Sequence, residues 1–294
     1  TGDISVAKIS ANNGMANDGG LAGYFSGSVF DSYATGDVEI LPEGEGVNTT
    51  ATSVNSIGGL IGNYSSADSE QKISNVFAEG AVTGGYKLGG LIGYVSSSRG
   101  FYISNSYALG DVSSVYAANS DNVYVGGLIG VVGETGVGSQ NKSGEVVIEN
   151  VYAYGDVTAI NGGSVGGLIG YISTYQTPSG VYQSGSITNA HAYGDVYVTY
   201  IDSTGAYDVG GLIGTMRGID LSNSSASGDV YGFSHVGGLV GTAVYSTISD
   251  SYATGAASSV ENKLNYGSAG LVANMNQSTV YNSYYNADVN DSGY

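Results

Sequence analysis

The sequence predicts an all-β chain, a single right-handed parallel β-helix of about eight rungs with loop insertions at two corners. Three observations predict it. One phrase, Gly-Gly-Leu-Ile-Gly, recurs along the whole chain, with its Leu at Leu21, Leu60, Leu91, Leu128, Leu168, Leu212, Leu239 and, as Ala-Gly-Leu-Val-Ala, Leu271. A second phrase follows each first one, best seen in Ile103-Ser104-Asn105-Ser106-Tyr107-Ala108-Leu109-Gly110-Asp111-Val112. The composition is that of turns and short strands: 50 Gly among 294 residues, 26 Tyr, and many Val and Ile. Self-similarity at a period of a few tens of residues marks a repeat architecture.

The elements follow in order. Thr1-Gly2-Asp3-Ile4 matches the end of the second phrase, so residues 1–18 read as a partial N-terminal rung. Residues 19–289 hold eight repeats, 290–294 read as a tail, and 1–294 as one solenoid domain. Second phrases start at Val29, Ile73, Ile103, Ile148, Ile187, Leu221, Ile248 and Val280. From each Leu to the next second phrase the gap runs from 8 to 20 residues, while the phrases keep their length. Variation confined to two points marks stacked units with loops at fixed corners. No apolar i, i+3, i+4, i+7 pattern occurs, whereas Ile148-Glu149-Asn150-Val151-Tyr152 alternates with period two. We therefore expect each Gly-Leu phrase to form one strand and each second phrase two, three strands per coil. Rungs ~4.8 Å apart give a core of roughly 40 Å, and parallel crossovers are right-handed.

Stacking turns each phrase position into a column. The Leu column should fill the interior. The Ala column (Ala34, Ala78, Ala108, Ala153, Ala192, Ala226, Ala253) suggests a cramped inner corner, broken by Tyr285. The Asn column (Asn75, Asn105, Asn150, Asn189, Asn223, Asn282, with Asp31 and Asp250) suggests an amide ladder, each amide donating to the next rung. The ring column (Tyr33, Phe77, Tyr107, Tyr152, His191, Tyr252, Tyr284, with Ser225) suggests stacked aromatics or a platform for sugars. The Asp column runs unbroken through Asp111, Asp156, Asp195 and Asp229. Like charges ~4.8 Å apart repel by about 0.9 kcal/mol per pair even in water. Two explanations stand: each carboxylate accepts backbone N–H groups at the turn after Gly, or the row holds cations, with Ca²⁺ the ion suited to oxygen ligands.

Charge and composition exclude several functions. Twenty-five acidic side chains face seven basic ones, a net charge of −18, so there is no basic stripe for nucleic acid. The chain has no Cys, hence no disulfides and no Cys-based zinc site. No apolar run is long enough for a membrane-spanning helix. The cations Lys8, Lys72, Lys87, Arg99, Lys142, Arg217 and Lys263 are scattered, and the histidines, His191 and His235, stand far apart. No catalytic constellation emerges, and we expect a protein that is not an enzyme and needs no cofactor beyond the Ca²⁺ row. A Tyr-dense stretch (Tyr171, Tyr175, Tyr182, Tyr193, Tyr197, Tyr200) is the candidate surface for carbohydrate or a host protein. Asn-x-Ser/Thr motifs at Asn48, Asn63, Asn141, Asn276 and Asn290 would carry glycan on a glycosylated surface.

The two phrases resemble the GLUG motif, which occurs in tandem in bacterial and archaeal surface and adhesin-like proteins. The matching residues run from Gly19 to Val289. The resemblance implies an extracellular or cell-surface β-solenoid: a stalk or fibre subunit stacking end to end on itself or on further repeats, or else an adhesin module. It carries no catalytic residue, and the His-Glu-x-x-His signature of the family's protease members is missing here.

Overall fold

A computed structural model describes residues 4–7, 17–41, 56–66, 71–97, 100–115, 123–133, 145–174, 185–199, 207–259 and 267–290. Among them every strand pair is parallel and there is no helix. A typical rung runs Tyr124–Gly126, Ile129–Val132, Val146–Ala153 and Val157–Ile160. Each of these strands pairs with its counterpart in the rungs before and after, which makes four sheets. Sheet 1 lies before the Gly-Leu corner and sheet 2 after it. Sheet 3 carries the Asn phrase and sheet 4 follows the Gly-Asp corner. The four wind into one right-handed parallel β-helix. Ile4–Ala7 pairs with Val38–Leu41, placing Ile4 opposite Val38.

Register is set by sequence. The first Gly of each phrase aligns through Gly19, Gly58, Gly89, Gly126, Gly166, Gly210 and Gly237. A slip of one residue would turn every core side chain outward, and a slip of a whole repeat would leave corner inserts of unequal length mismatched.

The number of strands per coil differs from the sequence expectation. The Gly-Gly-Leu-Ile-Gly phrase is not one strand. It straddles a corner: sheet 1 ends at its first Gly, the chain bends at Gly-Leu, and sheet 2 begins at Ile. The bend is tight because the second Gly lies against neighbouring backbone. A Cβ built on Gly127 would sit 2.1 Å from the Gly167 carbonyl oxygen and 3.0 Å from the Ala153 Cβ. The same contact joins Gly59 to Ala78, Gly90 to Ala108, Gly167 to Ala192 and Gly211 to Ala226. The Ala column and the second-Gly column thus pinch the coil into a waist, which is the cramped corner read from sequence. At the last rung the Tyr285 ring covers Gly270 where the Ala would stand.

The waist divides the interior into two apolar lobes. Sheets 2 and 3 enclose the larger, where Leu60, Leu91, Leu128, Leu168, Leu212 and Leu239 stack with the Ile that follows each or, at Val240, its replacement. Sheets 1 and 4 enclose the other, made mostly of Val, among them Val112, Val157, Val196, Val230, Val125, Val165 and Val209, with Ile40, Ile57, Leu88 and Ala159. Continuous apolar columns of this kind suit parallel strands covered on their inner face. In the end rungs the same columns come into the open: Leu21 is 49% exposed where Leu60 is 0%.

Candidate functional site

Three side-chain ladders on the outer wall and one largely buried polar cluster carry the polar and aromatic chemistry. The Asp ladder stands at the Gly-Asp corner between sheets 3 and 4. Asp111 Oδ1 accepts the Asp156 N–H at 2.9 Å, Asp156 that of Asp195 at 2.8 Å, Asp195 that of Asp229 at 2.7 Å, and Asp229 that of Ala256 at 2.8 Å. Asp37 does the same for Ala81. At this corner the backbone leaves the plane of one sheet before joining the next, so its N–H has no ladder carbonyl to meet, and the carboxylate of the preceding rung supplies the acceptor. Charge-assisted bonds to backbone N–H groups offset the repulsion along the row. The four carboxylates are exposed, and one oxygen of each is committed to this bond. Among the described residues no three His, Asp or Glu side chains converge as a cation cage. We expect Asp156→Ala to cost about 1 kcal/mol and Asp156→Asn, whose amide oxygen still accepts, to cost less. Urea denaturation of both variants checks this, and equal losses would contradict the ladder.

The Asn ladder lies in sheet 3, at a kink. Asp31, Asn75, Asn105, Asn150, Asn189, Asn223, Asp250 and Asn282 all have φ between 48° and 55°. This is the left-handed region, which Asn and Asp tolerate best among non-glycine residues. The column is therefore selected by backbone conformation as well as by hydrogen bonding. Four of the amides do link rungs, in the direction opposite to that expected: each of the four donates to the preceding rung. Asn75 donates to Asp31 at 3.2 Å, Asn150 to Asn105 at 3.2 Å, Asn189 to Asn150 at 2.7 Å and Asn282 to Asp250 at 3.4 Å.

A buried Ser column that sequence reading missed sits one residue on. Ser106 donates its hydroxyl to the Ser104 carbonyl and accepts the Val76 N–H. Ser224 and Ser251 repeat the pattern, accepting from Ala190 and Ser224. The recurring Asn-Ser or Asp-Ser pair was the available signal: a hydroxyl is needed where the kink frees backbone groups inside the wall.

The ring ladder stands two residues after the Asn. Tyr33 and Phe77 lie with centroids 5.0 Å apart and planes within 4°, Phe77 and Tyr107 at 5.0 Å and 3°. Tyr152 and His191 follow at 5.5 Å. Ring faces are thus turned to one another and ring edges to solvent. Burial pushes the His191 imidazole down, so it is neutral at pH 7. Its Nε2 faces Asn189 Oδ1 at 2.8 Å and its Nδ1 the Ser225 hydroxyl at 2.8 Å. Because Asn189 Nδ2 already donates to Asn150, its Oδ1 accepts here. Nε2 therefore carries the proton and Nδ1 accepts from Ser225.

Of the six candidate tyrosines, the three described ones stand at different places on the coil. Tyr171, 8% exposed, packs at 5.5 Å on Tyr124 in the notch between sheets 1 and 2. Tyr193 lies at the end of sheet 3, stacked on Tyr154 at 4.8 Å. Tyr197 is in sheet 4, stacked on Tyr231 at 4.8 Å. Tyr175, Tyr182 and Tyr200 lie outside the described residues. The same notch turns polar in the later rungs. Asp208 accepts from Thr215 and Thr242, each at 2.7 Å, and meets His235 Nδ1 at 2.8 Å, with Ser164 bonded to Thr215 behind it. Two hydroxyls and an imidazole all point at one carboxylate, a polar plug where earlier rungs place Tyr124, Val131 and Tyr171.

Comparison with known proteins agrees with this geometry. The GLUG motif model matches residues 205–231 and 234–260, one rung each. Halomucin from Haloquadratum walsbyi is 33% identical over 207 residues, 69% of this chain. The chain spans 2% of that protein's length. No solved structure matches. The two matched segments have the columns, register and corners of the rungs before them, and the chain is a GLUG-repeat protein.

Proposed function

We propose that the chain is a rigid rod segment of an extracellular or cell-surface protein, a stalk or fibre subunit whose rungs continue into further rungs. One observation carries the reading: the repeated columns of the outer face are engaged in ladders running along the rod. Asp carboxylates serve backbone, Asn amides serve Asn and Asp, and rings serve rings. Such a surface adds stiffness, and the role asks for no catalytic group and no cofactor. Similarity to a short stretch of a far longer protein fits a modular segment. An adhesin module for carbohydrate or a host protein is the competing role. Sugar stacking needs free ring faces, and those of Tyr154 and Tyr193 are turned to each other, as are those of Tyr197 and Tyr231. That favours the stalk.

Negative-stain electron microscopy of the purified chain tests the reading. We expect rods, with lengths in multiples of the roughly 40 Å eight-rung unit. Short monodisperse rods at every concentration would remove the fibre form. Rods of unit length that bind glycans on an array would favour the adhesin.

A further inference from the structure

Seven of the eight rungs place a ring two residues after the left-handed Asn or Asp, and the sixth places Ser225 there. That one exchange has two effects. It makes Asn223-Ser224-Ser225 an Asn-x-Ser acceptor motif, which no other member of the Asn column has, because Phe, Tyr or His fills the third position elsewhere. It also interrupts the ring ladder. Ser225 pairs with His191 below and Tyr252 above, so those two stand about 10 Å apart, two rung spacings, with only a hydroxyl between.

The Asn223 amide is left out of its ladder on both sides. Below it, Asn189 Oδ1 faces His191 Nε2. Above it stands Asp250, whose carboxylate has no proton to donate. Asn75, Asn150, Asn189 and Asn282 donate across rungs and Asn105 accepts from Asn150. The Asn223 side chain makes no hydrogen bond among the described residues, and it is exposed at the outside of a turn.

We propose that Asn223 is an N-linked glycosylation site, its exposed side chain holding the first sugar on the outer face of the rung beside Ser225. The donor is a lipid-linked oligosaccharide phosphate. The Asn223 Nδ2–C1 bond forms as the C1–O bond to phosphate breaks, the amide gives up one proton to a base of the transferase, and the lipid phosphate leaves. Ser225 is 5% exposed in the folded rung and its hydroxyl is bonded to His191, so transfer takes place on the extended chain before this rung closes.

The test is peptide mapping by mass spectrometry of the full chain, made in a host that modifies Asn-x-Ser/Thr motifs and co-expressing a control glycoprotein. The Asn223 peptide should carry a glycan mass. Asn223→Gln and Ser225→Ala should both remove it, and Ser225→Thr should keep it. A bare Asn223 in a preparation whose control is glycosylated overturns the proposal, as does a mass that survives Ser225→Ala.

Discussion

Gly127→Val is expected to prevent the stack from closing. Even a Cβ at this position would lie 2.1 Å from the Gly167 carbonyl oxygen and 3.0 Å from the Ala153 Cβ. The near neighbours are backbone and a methyl that already fills the waist, so no rotamer change relieves the contact. The backbone must separate, and the hydrogen bonds from Gly127 to Gly166 and from Leu128 to Leu168 go with it. Overpacking commonly costs 1–3 kcal/mol. Adding two methyls and lost ladder bonds takes the expected loss to about 4 kcal/mol or more, which is exceptional for a single exchange. Gly267→Ala is the control, since a Cβ there meets nothing within 4 Å. Soluble yield and circular dichroism of the two variants decide it: a Gly127→Val protein with an unchanged β spectrum and denaturation midpoint would refute the waist.

Leu168→Ala should lower stability by about 2–5 kcal/mol, the range for emptying a buried leucine site. Leu168 is fully buried in the middle of the Leu column, with Leu128 and Leu212 as its stacked neighbours. The form of the loss is as informative as its size. In a stack where each unit touches only its neighbours, stability is a sum of unit and interface terms. A defect at the fifth rung weakens the coupling of the rungs on either side, so the denaturation curve should divide into two steps. Leu21→Ala, at a site 49% exposed, should shift the midpoint little. A single step with equal shifts for both variants would speak against neighbour-only coupling.

Columns that fill space were legible in the sequence. Leu at one position and Ala at another recur because volume is fixed at each, and both stand where the spacing put them. What the sequence concealed was direction and curvature. The Gly-Leu phrase reads as a strand because apolar residues flank it, yet the paired glycines mark a bend where two chain segments nearly touch. The Asn column showed its hydrogen-bonding capacity. Its restriction to Asn and Asp, never Ser or Thr, held the further message of a left-handed backbone. Tyr171 stands close in sequence to other tyrosines, and such proximity reads as a shared face. Its column holds Tyr24, Asn63, Tyr94, Val131, Tyr171, Thr215, Thr242 and Asn274, and that chemical mixture gave no sign of the notch it faces.

The Asp and Asn ladders share one sense: Asp111, Asp156 and Asp195 each serve the rung that follows, and every amide that bonds in the Asn ladder serves the rung that precedes. The solenoid is therefore a vector, with acceptors facing one pole and donors the other. Two copies joined by a twofold axis through like poles would oppose acceptor to acceptor. Copies joined pole to opposite pole keep every bond, and contacts of that kind lengthen an assembly without closing it.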